Sequence, residues 1–143
     1  IAVLTLLILA LLTLPFLPFV LLDARRRRAL ERRAAFDSPD CGKAIRALFL
    51  HLTAYLDSCG KGGGNQPFAQ WDGTLTRTLS PEYAVRFRQA AALFEEAAYS
   101  THTMGEEQRA ELRRLLNETE RLLYDGADRK TKFRLKYLEC LHT

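Results

Sequence analysis

The stretch IAVLTLLILALLTLPFLPFVLL, residues 1–22, decides the architecture of this 143-residue chain because it contains no charged side chain. As a helix it would be about 33 Å long at 1.5 Å per residue, which matches the roughly 30 Å hydrocarbon core of a bilayer. Thr5 and Thr13 can return their hydroxyls to backbone carbonyls, and Pro15 and Pro18 predict a kink near the end. The sequence therefore predicts one transmembrane helix over residues 1–22.

Two other interpretations of this run are a helix buried in a soluble core and a cleaved signal peptide. A signal peptide carries positive charge before its apolar run and small residues after it, whereas here the basic residues follow the run. Because the sequence begins at Ile1 without an initiator methionine, we expect a longer natural chain in which this span is the last of several.

The basic charge is concentrated directly after the span. Residues 23–33 carry a net charge of +4, whereas residues 34–143 hold 15 basic and 15 acidic side chains. Basic residues beside a span mark its cytoplasmic side, so we expect a basic juxtamembrane segment over residues 23–37 and a cytoplasmic domain over residues 38–143. The residues expected to set this topology and to contact anionic lipid headgroups are Arg25, Arg26, Arg27, Arg28, Arg32 and Arg33. Nucleic-acid binding is not favoured, because the rest of the chain has no basic face with interleaved aromatic residues.

The domain over residues 38–143 is predicted to be an all-α bundle of three or four helices. The first helix would be capped by Ser38 with Pro39 at its first position and would stop at Gly60. The second would start at Ser80-Pro81, and the third at a capping box of Thr103 and Glu106. The predicted core residues, at helical spacing, are Leu48, Phe49, Leu52, Tyr55, Phe87, Phe94, Leu112, Leu115, Leu116 and Leu122.

Two segments of the domain are less regular. Residues 60–73, GKGGGNQPFAQWDG, lack both GxxxxGK[ST] and GxGxxG, so a flexible connection is favoured over a phosphate-binding loop. A small hairpin around Asp72-Gly73 is an alternative for their end. In the last stretch, residues 128–143, polar and apolar residues alternate from Lys132 to Leu138 as in a strand, but Phe133, Tyr137 and Leu141 also share a helix face. Helix is favoured because the surrounding elements are helical.

No residue pattern in the chain indicates catalysis, a metal or a cofactor. The three cysteines are odd in number and form no CxxC pair, so neither a disulfide framework nor a zinc site is indicated, and free thiols fit a reducing cytoplasm. The three histidines form no HExxH motif. A nucleophile pair of Cys59 and His102 is an alternative that nothing in the sequence orients.

Residues 78–100, TLSPEYAVRFRQAAALFEEAAYS, resemble the uncharacterised helical C-terminal domain of bacterial transglutaminase-like multi-pass membrane proteins. The resemblance covers roughly residues 23–124 and rests on helix starts and aromatic residues. It implies a papain-like Cys-His-Asp domain outside the cell, upstream of this span and not contained in this sequence. The glycines at 60–64 and the basic tail after Arg129 depart from the family pattern.

These observations favour a non-catalytic module at the cell membrane. It would bind a cytoplasmic protein partner or support other spans of the same protein. The alternative is that the domain is itself a small cysteine-dependent enzyme.

Overall fold

The computed structural model describes residues 1–142 and begins with one long helical run over Ala2–Phe36. It consists of α1 (Ala2–Thr13), a 3-10 turn (Leu14–Phe16) and α2 (Leu17–Phe36). The 3-10 turn contains Pro15 and is the local change of geometry that the prolines predict. Both threonine hydroxyls donate to backbone carbonyls, at 2.8 Å from Thr5 to Ala2 and at 3.0 Å from Thr13 to Leu9.

The first 22 residues of this run are exposed along their whole length. Every large apolar side chain from Ile1 to Leu22 is at least 38% exposed. A helix of a soluble core would bury these side chains, so the core-helix interpretation is wrong. The run is long and apolar enough to cross a membrane. The predicted boundary after residue 22 is not a helix end, because α2 continues through the arginines to Phe36.

The remaining described residues form a helical bundle without strands. Its helices are α3 (Cys41–Ser58), α4 (Trp71–Thr78), α5 (Pro81–Tyr99), α6 (Glu106–Asp125) and α7 (Arg129–Phe133). A 3-10 turn (Phe68–Gln70) precedes α4, and a π-helical turn (Arg134–Leu138) follows α7. The all-α prediction is confirmed, with α4 as an additional short helix. The expected domain end at Thr143 lies one residue outside the described chain.

The core is built around α3, which packs against α2, α5 and α6. Its apolar face is completely inaccessible to solvent from Ala44 to Leu56. Burying each large apolar side chain contributes about 1.5–3 kcal/mol. The face comprises Ala44, Ile45, Leu48, Phe49, Leu52, Tyr55 and Leu56. The core positions predicted on α3 are therefore confirmed.

Two predicted helix starts are wrong by a few residues. Asp40, rather than Ser38, caps α3, and its Oδ1 accepts from the backbone N–H of Gly42 at 3.0 Å. α6 begins after Gly105, whose N–H donates to the Gln108 side chain at 2.6 Å, so the predicted Thr103 box does not form. In both places a second polar side chain lies close to the start of the helix, and sequence spacing alone did not identify the capping residue.

The hairpin alternative for residues 68–79 is also wrong. Trp71 stacks on Phe87 of α5, with ring centroids 5.4 Å apart and an angle of 3° between the planes. Trp71 and Leu75 are buried, and the hydroxyl of Thr76 donates to the carbonyl of Asp72 at 2.8 Å. Packing of this helical face overrides the β-propensity of the segment.

Two predicted core residues lie outside the buried core. Leu122 is 56% exposed, while its neighbour Leu123 is buried. The buried face of α6 includes Thr119, whose hydroxyl lies 2.6 Å from that of Tyr83. Phe94 is only partly buried, although it stacks on Phe49 at 4.8 Å between ring centroids.

The glycine-rich connection before α4 packs closely against that helix. A Cβ added to Gly63 would lie 2.5 Å from Cδ1 of Trp71. The indole N–H of Trp71 donates to the carbonyl of Gln66 at 3.0 Å, and Asp57 accepts from the N–H of Gly64 at 2.9 Å. The absence of side chains allows this close approach, so the loop forms a cover over the tryptophan.

Candidate membrane-proximal site

The six arginines expected at the membrane surface do not share one environment. Arg25 donates to the carbonyl of Leu138 at 3.0 Å, and Arg33 donates to that of Leu141 at 3.3 Å. These two side chains therefore hold the end of the chain against α2. Such contacts join residues more than 100 positions apart and leave no signal in the local sequence.

The other four arginines point away from the bundle core. Arg27 pairs with Asp23 at 2.9 Å, with both side chains well exposed, and Arg32 donates to the carbonyl of Arg28 at 3.3 Å. The side chains of Arg26 and Arg28 make no hydrogen bond or ion pair with residues 1–142. Free guanidinium groups in this position are suited to bind phosphate.

The end of the chain, residues 129–142, is called the C-terminal segment below. It begins as α7 and the π-helical turn, which confirms the helical interpretation as far as Leu138. Leu135 and Leu141 are buried in the bundle core. Arg134 pairs with Glu139 at 3.2 Å, and both side chains bond to Ser58 at the end of α3. The segment is therefore packed against the bundle as well as against α2.

A cluster of polar side chains, called the polar junction below, joins α2, α3, α6 and the C-terminal segment. His51 Nε2 lies 3.1 Å from Glu120 Oε1 and 3.1 Å from the carbonyl oxygen of Leu141. Because both neighbours are acceptors, this nitrogen carries the proton. Arg33 approaches the same carboxylate oxygen at 3.6 Å.

The junction continues through Tyr55 to the end of the described chain. The Tyr55 hydroxyl lies 3.1 Å from Nδ1 of His142, whose ring stacks on Tyr124 with centroids 3.7 Å apart. Burial lowers the pKa of His142, and burial raises the pKa of Tyr55. A neutral histidine can accept a hydrogen bond from the tyrosine hydroxyl at Nδ1, so the arrangement is stable at neutral pH.

Two arginines of α6 bind the end of α2 and the residues that follow it. Arg113 donates to the carbonyl of Phe36 at 2.7 Å and pairs with Asp37 at 2.7 Å. Arg109 donates to the carbonyl of Ser38 at 2.9 Å. The last carbonyls of a helix carry partial negative charge, so cations there are favourable. These side chains fix the direction in which α2 leaves the bundle.

Two cysteines, Cys41 and Cys59, lie in surroundings that oppose ionisation of their thiols. Cys41 donates to Glu106 at 3.5 Å, and burial together with this hydrogen bond raises the pKa of the thiol. Burial also raises the pKa of Cys59. The thiolate is the reactive form, so a raised pKa disfavours nucleophilic chemistry.

The structure does not bring the Cys59–His102 pair into one cleft. Cys59 lines a cleft of about 700 Å³ with Tyr83 and Arg86, whereas His102 lines a different one, of about 320 Å³. Cys41 lines the second cleft as well, although its thiol donates a hydrogen bond to the carboxylate of Glu106. Among residues 1–142, no three His, Cys, Asp or Glu side chains are grouped so that they could hold a metal ion.

No protein-family model, curated protein or solved structure matches this chain.

Proposed function

We propose that this chain is a membrane-anchored, non-catalytic helical module. Its bundle would lie on the cytoplasmic side of the cell membrane, where it supports the spans of the same protein or binds a cytoplasmic protein. The observation that carries the proposal is the single helical run over residues 2–36, which is uncharged and exposed at one end and packed into the bundle at the other. Such a helix transmits the orientation of the anchor directly to the bundle.

Three sets of contacts support a rigid connection between anchor and bundle. Phe36 is buried in the core, and its carbonyl is held by Arg113. Arg33 reaches the polar junction, where it meets the carboxylate of Glu120. Arg25 holds the C-terminal segment near the start of the basic region. A flexible tether would need none of these contacts, whereas a supporting module needs a fixed angle.

The cytoplasmic orientation is supported by the arginines that follow residue 22. It is tested with a membrane-impermeant maleimide on intact cells. We expect Cys59, which is partly exposed, to be labelled only after the membrane is permeabilised. Labelling in intact cells would place the bundle outside and reverse the proposal.

The non-catalytic assignment is supported by the raised pKa of two thiols and by the separation of Cys59 from His102. The test is simultaneous replacement of Cys41, Cys59 and Cys140 by serine. We expect membrane insertion, thermal stability and the cellular phenotype to be retained. Loss of the phenotype with insertion and stability intact would favour the cysteine-dependent enzyme.

The resemblance of residues 78–100 to transglutaminase-like membrane proteins adds a proposal about the whole protein. A papain-like Cys-His-Asp domain encoded upstream would perform the chemistry outside the cell, and the bundle would act from the other side of the membrane. Sequencing the gene upstream of the codon for Ile1 tests this. A Cys-His-Asp domain is the expected result, and a different upstream domain would contradict the proposal.

A further inference from the structure

A cleft of about 610 Å³ lies between α2 and the C-terminal segment, next to the end of the apolar run. Leu22 and Arg26 line it from α2, and Lys136 and Tyr137 line it from the other side. We propose that this cleft binds the headgroup of an anionic phospholipid from the bilayer that the N-terminal helix spans. The inference rests on the membrane anchoring proposed above and assigns a defined lipid site to it.

The charges around the cleft leave two cations available for a phosphate. Asp23, the one carboxylate among residues 1–142 that lines it, is paired with Arg27 at 2.9 Å. Arg33 is engaged by Glu120 and the C-terminal segment. Arg26 has no polar partner among residues 1–142, and the Lys136 ammonium only faces an aromatic ring, 5.7 Å from its centroid. An arginine and a lysine on opposite walls form a suitable pair of donors for phosphate oxygens.

The position of the cleft along α2 corresponds to the headgroup layer. Arg25 follows Leu22, the last residue of the uncharged run, by three positions, or about 4.5 Å along the helix axis. Its guanidinium bonds to the carbonyl of Leu138, so the π-helical turn lies beside the end of the apolar run. The headgroup region adds about 5–8 Å on each side of the hydrocarbon core. Lys136 and Tyr137 therefore lie at the depth of lipid phosphates.

The exposed surface of the C-terminal segment is typical of a membrane interface. Phe133 and Tyr137 are 56% and 52% exposed, and their ring centroids lie 5.1 Å apart. Lys130, Lys132 and Lys136 accompany them in the same short segment. Aromatic rings beside basic side chains favour the boundary between headgroups and acyl chains. In water these rings would be unfavourably exposed, whereas a lipid neighbour covers them.

The cleft on the other side of the C-terminal segment provides an internal comparison. It is larger, about 800 Å³, and Arg25, Arg28 and Arg32 line it, but Glu31 and Glu139 line it as well. Two carboxylates oppose binding of a phosphate. Arg28 therefore offers a matched control, since it lies on the same helix with the same charge and has no side-chain partner in the described chain.

The test uses the full chain reconstituted in phosphatidylcholine nanodiscs that contain spin-labelled phosphatidylglycerol. The fraction of motionally restricted label gives the relative association constant of the anionic lipid. We expect Arg26→Gln combined with Lys136→Gln to lower this constant by about fivefold for each charge removed, or about 25-fold. The control, Arg28→Gln combined with Lys130→Gln, removes the same charge from outside the cleft. It should lower the constant by less than about fivefold in total, because only the general attraction of basic residues to an anionic surface is lost.

Folding of each variant is checked by the fluorescence of Trp71, which is buried in the core and distant in sequence from the substituted positions. An equal loss of lipid association in the two double variants would show a general attraction to the charged surface and overturn the proposal of a lipid site in the cleft. An unchanged association constant in the Arg26/Lys136 variant would overturn it as well. Failure of the wild-type chain to enter nanodiscs would instead overturn the membrane anchoring, and with it both proposals.

Discussion

Removal of the Glu120 carboxylate is the most direct test of the polar junction. In Glu120→Ala, Arg33 loses its acidic partner and His51 keeps only the carbonyl of Leu141 as an acceptor. The side chains of Glu120, His51 and Arg33 are 14%, 3% and 30% exposed. The substitution therefore leaves a partly buried cation without its ion-pair partner and a buried histidine with one hydrogen bond fewer.

The expected cost follows from this burial. Breaking a fully buried ion pair costs about 3–5 kcal/mol, and an unsatisfied buried polar group costs about 1–3 kcal/mol. Arg33 retains some hydration and His51 retains one acceptor, so we expect about 2 kcal/mol. For a bundle of this size, that loss lowers the melting temperature by about 8–16 °C.

Glu118→Ala is the matched control on the same helix. Glu118 accepts two hydrogen bonds from Arg86, at 2.8 and 2.9 Å, which are shorter than the contacts of Glu120. This pair is exposed, however, with 43% and 58% of the two side chains accessible. An exposed ion pair contributes about 0–1 kcal/mol. Comparing the two variants tests whether burial of an ion pair or the distance between its charged atoms decides how much the pair contributes to stability.

Urea unfolding of the full chain in detergent micelles provides the measurement. Trp71 is the single tryptophan and is 1% exposed, so its fluorescence reports the bundle and not the N-terminal helix. With a slope of about 2 kcal/mol per M, Glu120→Ala should lower the midpoint by about 1 M. A cost for Glu118→Ala equal to or above that of Glu120→Ala would refute the reasoning.

Three further predictions use the same unfolding assay. Gly63→Ala should destabilise the bundle by about 1–3 kcal/mol because its Cβ would meet the indole ring of Trp71. Gly73→Ala, in an open helical position, should instead stabilise the bundle by up to about 1 kcal/mol. The opposite order of stabilities would contradict the close packing of the loop. Phe49→Ala should cost about 3–5 kcal/mol, and Phe94→Ala clearly less, because only the first ring is fully buried; equal costs would count against this. Burial lowers the pKa of His142 in the folded chain, so the unfolded chain binds the proton more tightly and stability should fall as the pH drops from about 7 to 5. The fall in stability should be smaller in His142→Asn. An equal fall would contradict the conclusion that burial of His142 causes it.

The sequence by itself determined the division of the chain and the type of its elements. The uncharged run of 22 residues predicted a membrane helix, and the structure leaves this run exposed. The spacing of apolar residues in α3 predicted its buried face correctly from Leu48 to Tyr55. These features depend on local periodicity and charge, which a single sequence contains in full.

The sequence was less informative where two neighbouring residues could satisfy the same pattern. Leu122 and Leu123 both fit an apolar face of α6, and only packing against the bundle selected Leu123. Asp40 replaced Ser38 as the cap of α3 for the same kind of reason. Propensity and spacing narrow such choices to a few residues, and tertiary contacts decide among them.

Only the tertiary structure decided where the candidate site lies. The contact between His51 and Glu120 spans 69 positions, and that between Arg25 and Leu138 spans 113. The sequence marked the arginines as one basic group, but the fold turned Arg33 inward and left Arg26 free beside Lys136. The reason is physical: the C-terminal segment buries Leu135 and Leu141 in the bundle, and this burial brings its backbone carbonyls and lysine against α2. Charge composition can predict a membrane-facing region, whereas the pairing of its cations depends on which distant segment packs beside them.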